Sequence, residues 1–122
     1  MPKKSKTVVI GASPNPSRYA HRAVMALQQH GHPAIPLGIR KGEIGTASIL
    51  TEWPEIKEVD TVTLYLGPSR QAPHLDYILS LKPKRVIFNP GTENPELEHQ
   101  MKAAGIETLE ACTLVMLATG QY

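Results

Sequence analysis

Cysteine occurs once in the 122 residues, at Cys112, so the chain cannot form an internal disulfide, and a reducing cytoplasm is the expected setting. Aromatic residues make up only 5%, and none is interleaved with basic residues as in a groove for single-stranded nucleic acid. Nucleic acid is therefore not an expected partner. No apolar run approaches the roughly 20 residues of a membrane span, and the N-terminus lacks the apolar core of a signal peptide, so a membrane is not expected either. A large charge excess is missing too: 13 Lys and Arg stand against 11 Asp and Glu. Lys3, Lys4 and Lys6 supply that surplus, and without them the balance is ten basic to eleven acidic residues. Residues 1–6 read as a flexible basic tail ahead of a single domain at residues 7–122, a length that buries most of its chain surface unaided.

What the chain does have is a strand–loop–helix unit at residues 7–31, TVVIGASPNPSRYAHRAVMALQQHG. Thr7, Val8, Val9 and Ile10 run into Gly11, Ala12 and Ser13, the pattern of a parallel strand covered on both faces. Asn15, Pro16 and Ser17 carry helix-start chemistry: side-chain acceptors for unpaired N–H groups, and a fixed φ suited to a first turn. Ala20, Ala23, Val24 and Leu27 then share one helical face, and Gly31 closes the helix. Such a unit aims free backbone N–H groups and a helix dipole at one point, which suits a phosphate.

The rest of the chain repeats the alternation. Residues 34–37 read as a short strand, and residues 38–53 as a loop with a short extended piece near Ile49. Residues 53–58 are expected as one helical turn. Strands follow at residues 61–66, 85–89 and 106–109. Helices are expected over residues 70–81, with Ala72, Leu75 and Leu79 inward, and from Pro95 to Gly105, with Leu97, Met101 and Ala104 inward. Residues 112–119 read as a short packed helix. This predicts an α/β, Rossmann-like three-layer fold: a parallel sheet of about five strands, order 3-2-1-4-5, with helices on both faces.

In such sheets ligands bind outside the carboxyl ends of the strands, where the order reverses. The opening loop is not the dinucleotide fingerprint G-x-G-x-x-G, because its three glycine positions hold Gly11, Ser13 and Pro16. After the second strand, where an NAD site places a carboxylate, stand Arg40 and Lys41. Two cations there suit a ligand with an extra ribose phosphate, a feature of both NADP and coenzyme A.

At these residues the sequence resembles the small stand-alone CoA-binding domain proteins, which share their fold with the nucleotide-binding domain of the succinyl-CoA synthetase alpha subunit. The likeness is closest over GASPNPSR (residues 11–18), Arg22 and QHGHPAIPL (residues 29–37). It continues through GEIGTASILTEWPEI, VDTVTLYLGP, NPGTENPE, AAGIE and Cys112, covering residues 6–113. The resemblance implies binding of coenzyme A through its ADP part. Gly11, Ala12, Ser13 and Asn15 would lie along the pyrophosphate, with Arg18 nearby as a cation. Leu66, Gly67 and Pro68, with Asn89, Pro90 and Gly91, would flank the pantetheine arm. Charge and position would put Arg40 or Lys41 on the 3′-phosphate. The chain departs from the family pattern at Gly38-Ile39, where Asn-Pro is usual, at Leu66-Gly67, where an arginine pair is frequent, and at Ala20, where serine is frequent.

Signs of catalysis are sparse. The histidines, at positions 21, 30, 32, 74 and 99, show no metal-ligand spacing on one helix face, so no metal is expected. No serine–histidine–acid set or carboxylate pair stands out beside the loops, and Glu93 is the nearest acid. Cys112 follows the last strand at the ligand edge, where a helix starting beside it would make its thiol more reactive. The expected function is non-catalytic binding of coenzyme A or an acyl-CoA. The alternatives are a small NADP-linked oxidoreductase or a nucleotide-sensing subunit, and a homo-oligomer or a protein partner is compatible with each.

Overall fold

A computed structural model describes residues 4–122. The elements are β1 (Thr7–Ala12), α1 (Tyr19–Gln29), β2 (Ala34–Gly38), β3 (Glu43–Ile44), β4 (Ala47–Ser48), β5 (Thr61–Leu64), α2 (Leu75–Leu81), β6 (Arg85–Phe88), α3 (Pro95–Ala103), β7 (Glu107–Glu110) and α4 (Thr113–Ala118). Five strands form one parallel sheet in the order β2-β1-β5-β6-β7. The fold is α/β and Rossmann-like, as the alternating strands and helices predict.

Side-chain alternation along the strands builds the two cores. Val8 and Ile10, Val62 and Leu64, and Val86 and Phe88 face one side, where Ile78 and Leu81 of α2 and Leu97 and Met101 of α3 cover them. Val9 and Ala12 face the other side, against Ala20, Val24 and Leu27 of α1 and Leu117 of α4. Each large apolar side chain buried in this way contributes about 1.5–3 kcal/mol relative to leaving it exposed. Thr7, Thr61 and Thr63 are also fully buried. Thr63 survives there because its hydroxyl is shared with Thr113 at 2.8 Å.

The strand order differs from 3-2-1-4-5. Counted along the chain, the sheet runs second, first, third, fourth, fifth. Outside β2 there is a single bridge, Leu37 to Leu50, a one-residue stand-in for the outer strand. Residues 39–60 hold two glycines, a proline and no apolar run, so no ladder propagates there. Part of that stretch instead folds as the antiparallel β3–β4 pair, which the sequence pattern does not show. Gln28 of α1 donates to the Ile44 carbonyl at 2.9 Å and so docks the pair on the helix.

Other boundaries shift for local reasons. Helix α1 begins at Tyr19, because residues 15–18 form a turn in which the Asn15 side chain accepts from Ser17 N–H at 3.0 Å. The expected 70–81 helix is broken into two 3₁₀ turns, Pro68–Arg70 and Ala72–His74, ahead of α2. Pro73 has no N–H to continue a ladder. The fully buried residues here are Gln71 and Ile78, whereas Ala72 is exposed. Residues 53–58 form no helix, and Glu58 takes a left-handed φ of 59°. On α3, Glu98 is buried and Ala104 exposed, the reverse of the apolar pattern.

The tail boundary also moves. Residues 1–3 of the expected tail lie outside the described residues, but Ser5 is buried and donates its N–H to His32 Nδ1 at 2.9 Å. The Lys6 carbonyl accepts from Asp60 and Thr61, so residues 5 and 6 belong to the folded unit. An accepting Nδ1 requires a neutral ring, and burial together with the neighbouring His30 lowers the His32 pKa.

Candidate functional site

The carboxyl edge of the sheet opens into a cleft of about 570 Å³. It lies where the crossovers from β1 diverge, β2 to one side and β5 to the other, the place where open α/β sheets take ligands.

Two glycines set its floor. Gly11 has φ +98°, and a Cβ there would stand 3.1 Å from the Tyr65 backbone. The β1–β2 register slips at this point, so Ala12 comes opposite Gly38. A Cβ on Gly38 would meet the Ala12 carbonyl oxygen at 2.3 Å, closer than any side chain tolerates. Only glycine allows the two strand ends to close in this way.

Above the floor, residues 13–18 are shaped by their own hydrogen bonds. Ser13 Oγ accepts from Asn15 N–H at 3.1 Å, and the Ser13 carbonyl accepts from His21 Nδ1 at 2.9 Å. A carbonyl can only accept, so the His21 proton is on Nδ1. His21 thus ties the loop to the first turn of α1. That turn has no side-chain cap and no acidic residue. Its N–H groups and the positive end of the helix dipole are left for an outside acceptor.

Gly11, Ala12, Ser13, Asn15 and Arg18 line the cleft from the β1 side, Arg40 from the β2 side, Leu66 and Gly67 from the β5 loop, and Pro90 and Gly91 from the β6 loop. The structure brings these sequence candidates together. Four others are not among the lining residues. Lys41 is exposed away from the cleft, and Pro68 begins the first 3₁₀ turn. Asn89 is turned inward and 2% exposed. Its amide donates to Thr63 Oγ1 at 2.6 Å and to the Leu64 carbonyl at 2.8 Å, while its oxygen accepts from Thr113 N–H at 2.9 Å. It therefore fastens β5, β6 and α4 below the cleft. Cys112 is half-buried beside Tyr65, immediately before the six-residue α4. Burial and then the neighbouring Cys112 raise the Tyr65 pKa well above that of an ordinary phenol.

Ten lining residues lie outside the set that the sequence singles out, among them Tyr19, Ile39, Trp53, Arg70 and His74. Tyr19 and Ile39 are 66% and 78% exposed, and each adjoins a cleft arginine, Arg18 or Arg40. Arg70 had a weak signal in the Gly67-Pro68 break, which leaves the following turn at the ligand edge. Trp53 had only its rarity. His74 has a lowered pKa, from burial first and then from the charge of Arg70.

The electrostatics of the cleft are one-sided. Arg18, Arg40 and Arg70 line it, and no Asp or Glu does. Glu93 is not among the lining residues and accepts the Gly91 N–H at 2.8 Å. Buried Gln71 donates to the carbonyls of Leu66 and Thr92, at 2.8 and 2.7 Å, locking together the two loops beyond β5 and β6. Fixed loops, free helix N–H groups and uncompensated guanidinium groups make a site for a polyanion. Among the described residues no group of three or more His, Cys, Asp or Glu is placed to hold a metal ion.

Fold and site together define an α/β domain with a phosphate-receptive edge. The family model described as "CoA binding domain" matches residues 5–118, and the chain belongs to that family. Among solved structures it is similar to one titled as an uncharacterized protein, with 52% identity, a TM-score of 0.96, and coverage of 99% of this chain and 100% of that one. It is also similar to cell-free ID.343 from Thermus thermophilus, at 27% identity and TM-score 0.82, covering 97% and 91% of the two chains. A hypothetical protein from Pyrococcus horikoshii OT3 shares the fold at 21% identity and TM-score 0.84, covering 96% and 84%. No curated protein matches the chain.

The residues present fit a CoA-sized nucleotide. At Gly67 and Gly91 no heavy atom lies within 4 Å of where a Cβ would sit, which leaves open space beside both loops. Among the described residues no helix is long and apolar enough to cross a membrane.

Proposed function

We propose that the protein binds coenzyme A or an acyl-CoA and does not transform it. The observation that carries this reading is the cleft at the switch edge: three arginines and no carboxylate around an uncapped helix N-terminus, in a chain of the CoA-binding domain family. The pyrophosphate lies along residues 11–18, where the first-turn N–H groups of α1 and the Arg18 guanidinium meet its charge. Arg40 meets the ribose phosphate. Leu66, Gly67, Pro90 and Gly91 line the path of the pantetheine arm. The binding reading is favoured over catalysis because the cleft brings no carboxylate to act as a general base, and because its one histidine packs against Trp53.

Calorimetric titration with CoA, dephospho-CoA, NADP and NAD in one buffer tests this. CoA binding with a penalty of about tenfold or more for dephospho-CoA is the expected result, since a lost charge-assisted contact to phosphate costs ~1.5–3 kcal/mol. Preference for NADP would replace the reading with a nicotinamide nucleotide site. Turnover of an acyl-CoA by the isolated chain would contradict its non-catalytic part.

A further inference from the structure

The wall of the cleft on the α2 side carries an aromatic surface. Trp53, the only tryptophan of the chain, packs against His74 with ring centroids 4.4 Å apart and planes at 36°, and against Tyr77 at 5.5 Å. Its indole N–H donates to the Gly38 carbonyl at 3.3 Å, which places the ring over the end of β2. The Tyr77 hydroxyl donates to the Pro54 carbonyl at 2.7 Å, fixing the backbone next to Trp53. The indole N–H and the backbone next to the ring are both held. Trp53 is nevertheless half-buried and lines the cleft, as does His74. With its one polar group committed to Gly38, what Trp53 offers the cleft is an aromatic face.

The cations around this surface come from two directions. Arg40 lies two residues beyond Gly38, and Arg70 lies four residues before His74, near enough to act on its charge. An aromatic surface in a cleft that Arg40 and Arg70 also line suits a purine ring on a phosphorylated ribose. The phosphate-receptive turn at the start of α1 lines the same cleft.

Building on the CoA reading above, we infer that Trp53 and His74 form the subsite for the ligand's adenine ring, with Arg70 joining Arg40 on the ribose phosphate. Trp53 supplies stacking, His74 backs it as a second ring, and Arg70 adds a phosphate contact that Lys41 does not make.

The position of the only tryptophan makes the test direct. Trp53 emission is followed while adenosine 3′,5′-bisphosphate, 4′-phosphopantetheine and CoA are titrated, with calorimetry in parallel. The adenosine bisphosphate and CoA are expected to change the emission, and phosphopantetheine to leave it unchanged. Trp53→Leu should weaken CoA about tenfold, in the range found for base–aromatic stacking, and leave phosphopantetheine affinity as it was. His74→Ala, on the same wall, should weaken CoA by severalfold and serves if Trp53→Leu fails to fold. Arg70→Ala should narrow the gap between CoA and dephospho-CoA. If calorimetry shows CoA binding while the emission stays fixed, or if the wall variants weaken CoA and phosphopantetheine equally, the subsite is wrong and the CoA reading stands. If the adenosine bisphosphate changes the emission and CoA does not bind, the subsite stands and the CoA reading fails. If none of the three ligands binds, both fail together.

Discussion

The two edges of the sheet look alike by size and by their basic residues, and differ in what those residues do. At the amino edge a cleft of about 690 Å³ is lined by Lys4, Lys6, Lys57, Lys82 and Lys84. Glu55, Glu58 and Asp60 stand among them. Lys84 lies 3.9 Å from Asp60, and Lys6 donates to the Lys57 carbonyl at 2.6 Å. Beside this cleft the Tyr122 ring packs between Arg85, 4.5 Å away, and His32, 4.9 Å away, and Arg85 Nε donates to Thr61 at 2.8 Å. Acids stand among the bases there, and Lys6 and Lys84 are each directed at a protein oxygen. At the carboxyl edge three arginines have no acid beside them in the cleft lining, and a helix end is uncapped. Of four buried side-chain polar atoms without a partner among the described residues, two, Tyr65 Oη and Gln71 Oε1, belong to residues between β5 and α2. Cavity volume does not separate a site from a furrow here. The balance of compensated and uncompensated charge does.

The comparison breaks most sharply at Gly38. Gly38→Val drives a side chain into the Ala12 carbonyl at the cleft floor, with an expected loss of more than a hundredfold in CoA affinity and about 2–4 kcal/mol in stability. Calorimetry and urea unfolding read the two effects. Asn89→Leu comes next, because it leaves the Leu64 carbonyl, the Thr63 hydroxyl and the Thr113 N–H short of a partner. About 2–3 kcal/mol of stability should go, seen in the urea midpoint. Arg40→Ala should cost about tenfold in CoA affinity and shrink the CoA to dephospho-CoA gap, whereas Lys41→Ala should change neither. At the opposite edge, Lys84→Ala should leave CoA affinity unchanged and alter stability by less than about 0.5 kcal/mol, since its side chain is 69% exposed.

The smallest effect concerns neither cleft and serves as a control on electrostatics. Glu98 is buried on α3 with one carboxylate oxygen unpaired, and burial, then Glu110, raise its pKa. The folded state holds this proton more tightly than the unfolded state, so the group's stabilising contribution is complete below the ordinary carboxylate pKa. It is lost as the pH rises through the raised one. Glu98→Gln should therefore gain stability at pH 7 relative to wild type, and not at pH 4. Thermal unfolding at both pH values checks the sign.

Much of this was visible in the residues, and the division follows range in sequence. The residue 7–31 unit is local: a β-branched run, a small-residue loop and one apolar helical stripe specify it without help from elsewhere, and its loop does line the cleft. The strand ends at Leu66-Gly67 and Pro90-Gly91 show as turn chemistry for the same reason. Trp53 and His74 reach the cleft through contacts between residues far apart in sequence, such as the Trp53 indole on Gly38 and the packing of the two rings, which no local pattern carries. The family resemblance puts Asn89 beside the pantetheine arm, yet its amide is turned inward and fastens three elements. The strand order is not legible in the residues, because right-handed crossovers leave open which flank a weak segment joins. The β3–β4 pair, two residues a side, is too short to show an alternation.

The central claim is that charge left uncompensated at one edge of the sheet is there for the phosphates of coenzyme A. Calorimetric comparison of CoA with dephospho-CoA, on wild type and on the Arg40→Ala variant, tests it most directly. The account predicts tighter binding of CoA by wild type and a narrowed difference in the variant. Equal affinity for the two ligands in wild type, or a difference that Arg40→Ala leaves intact, would contradict it.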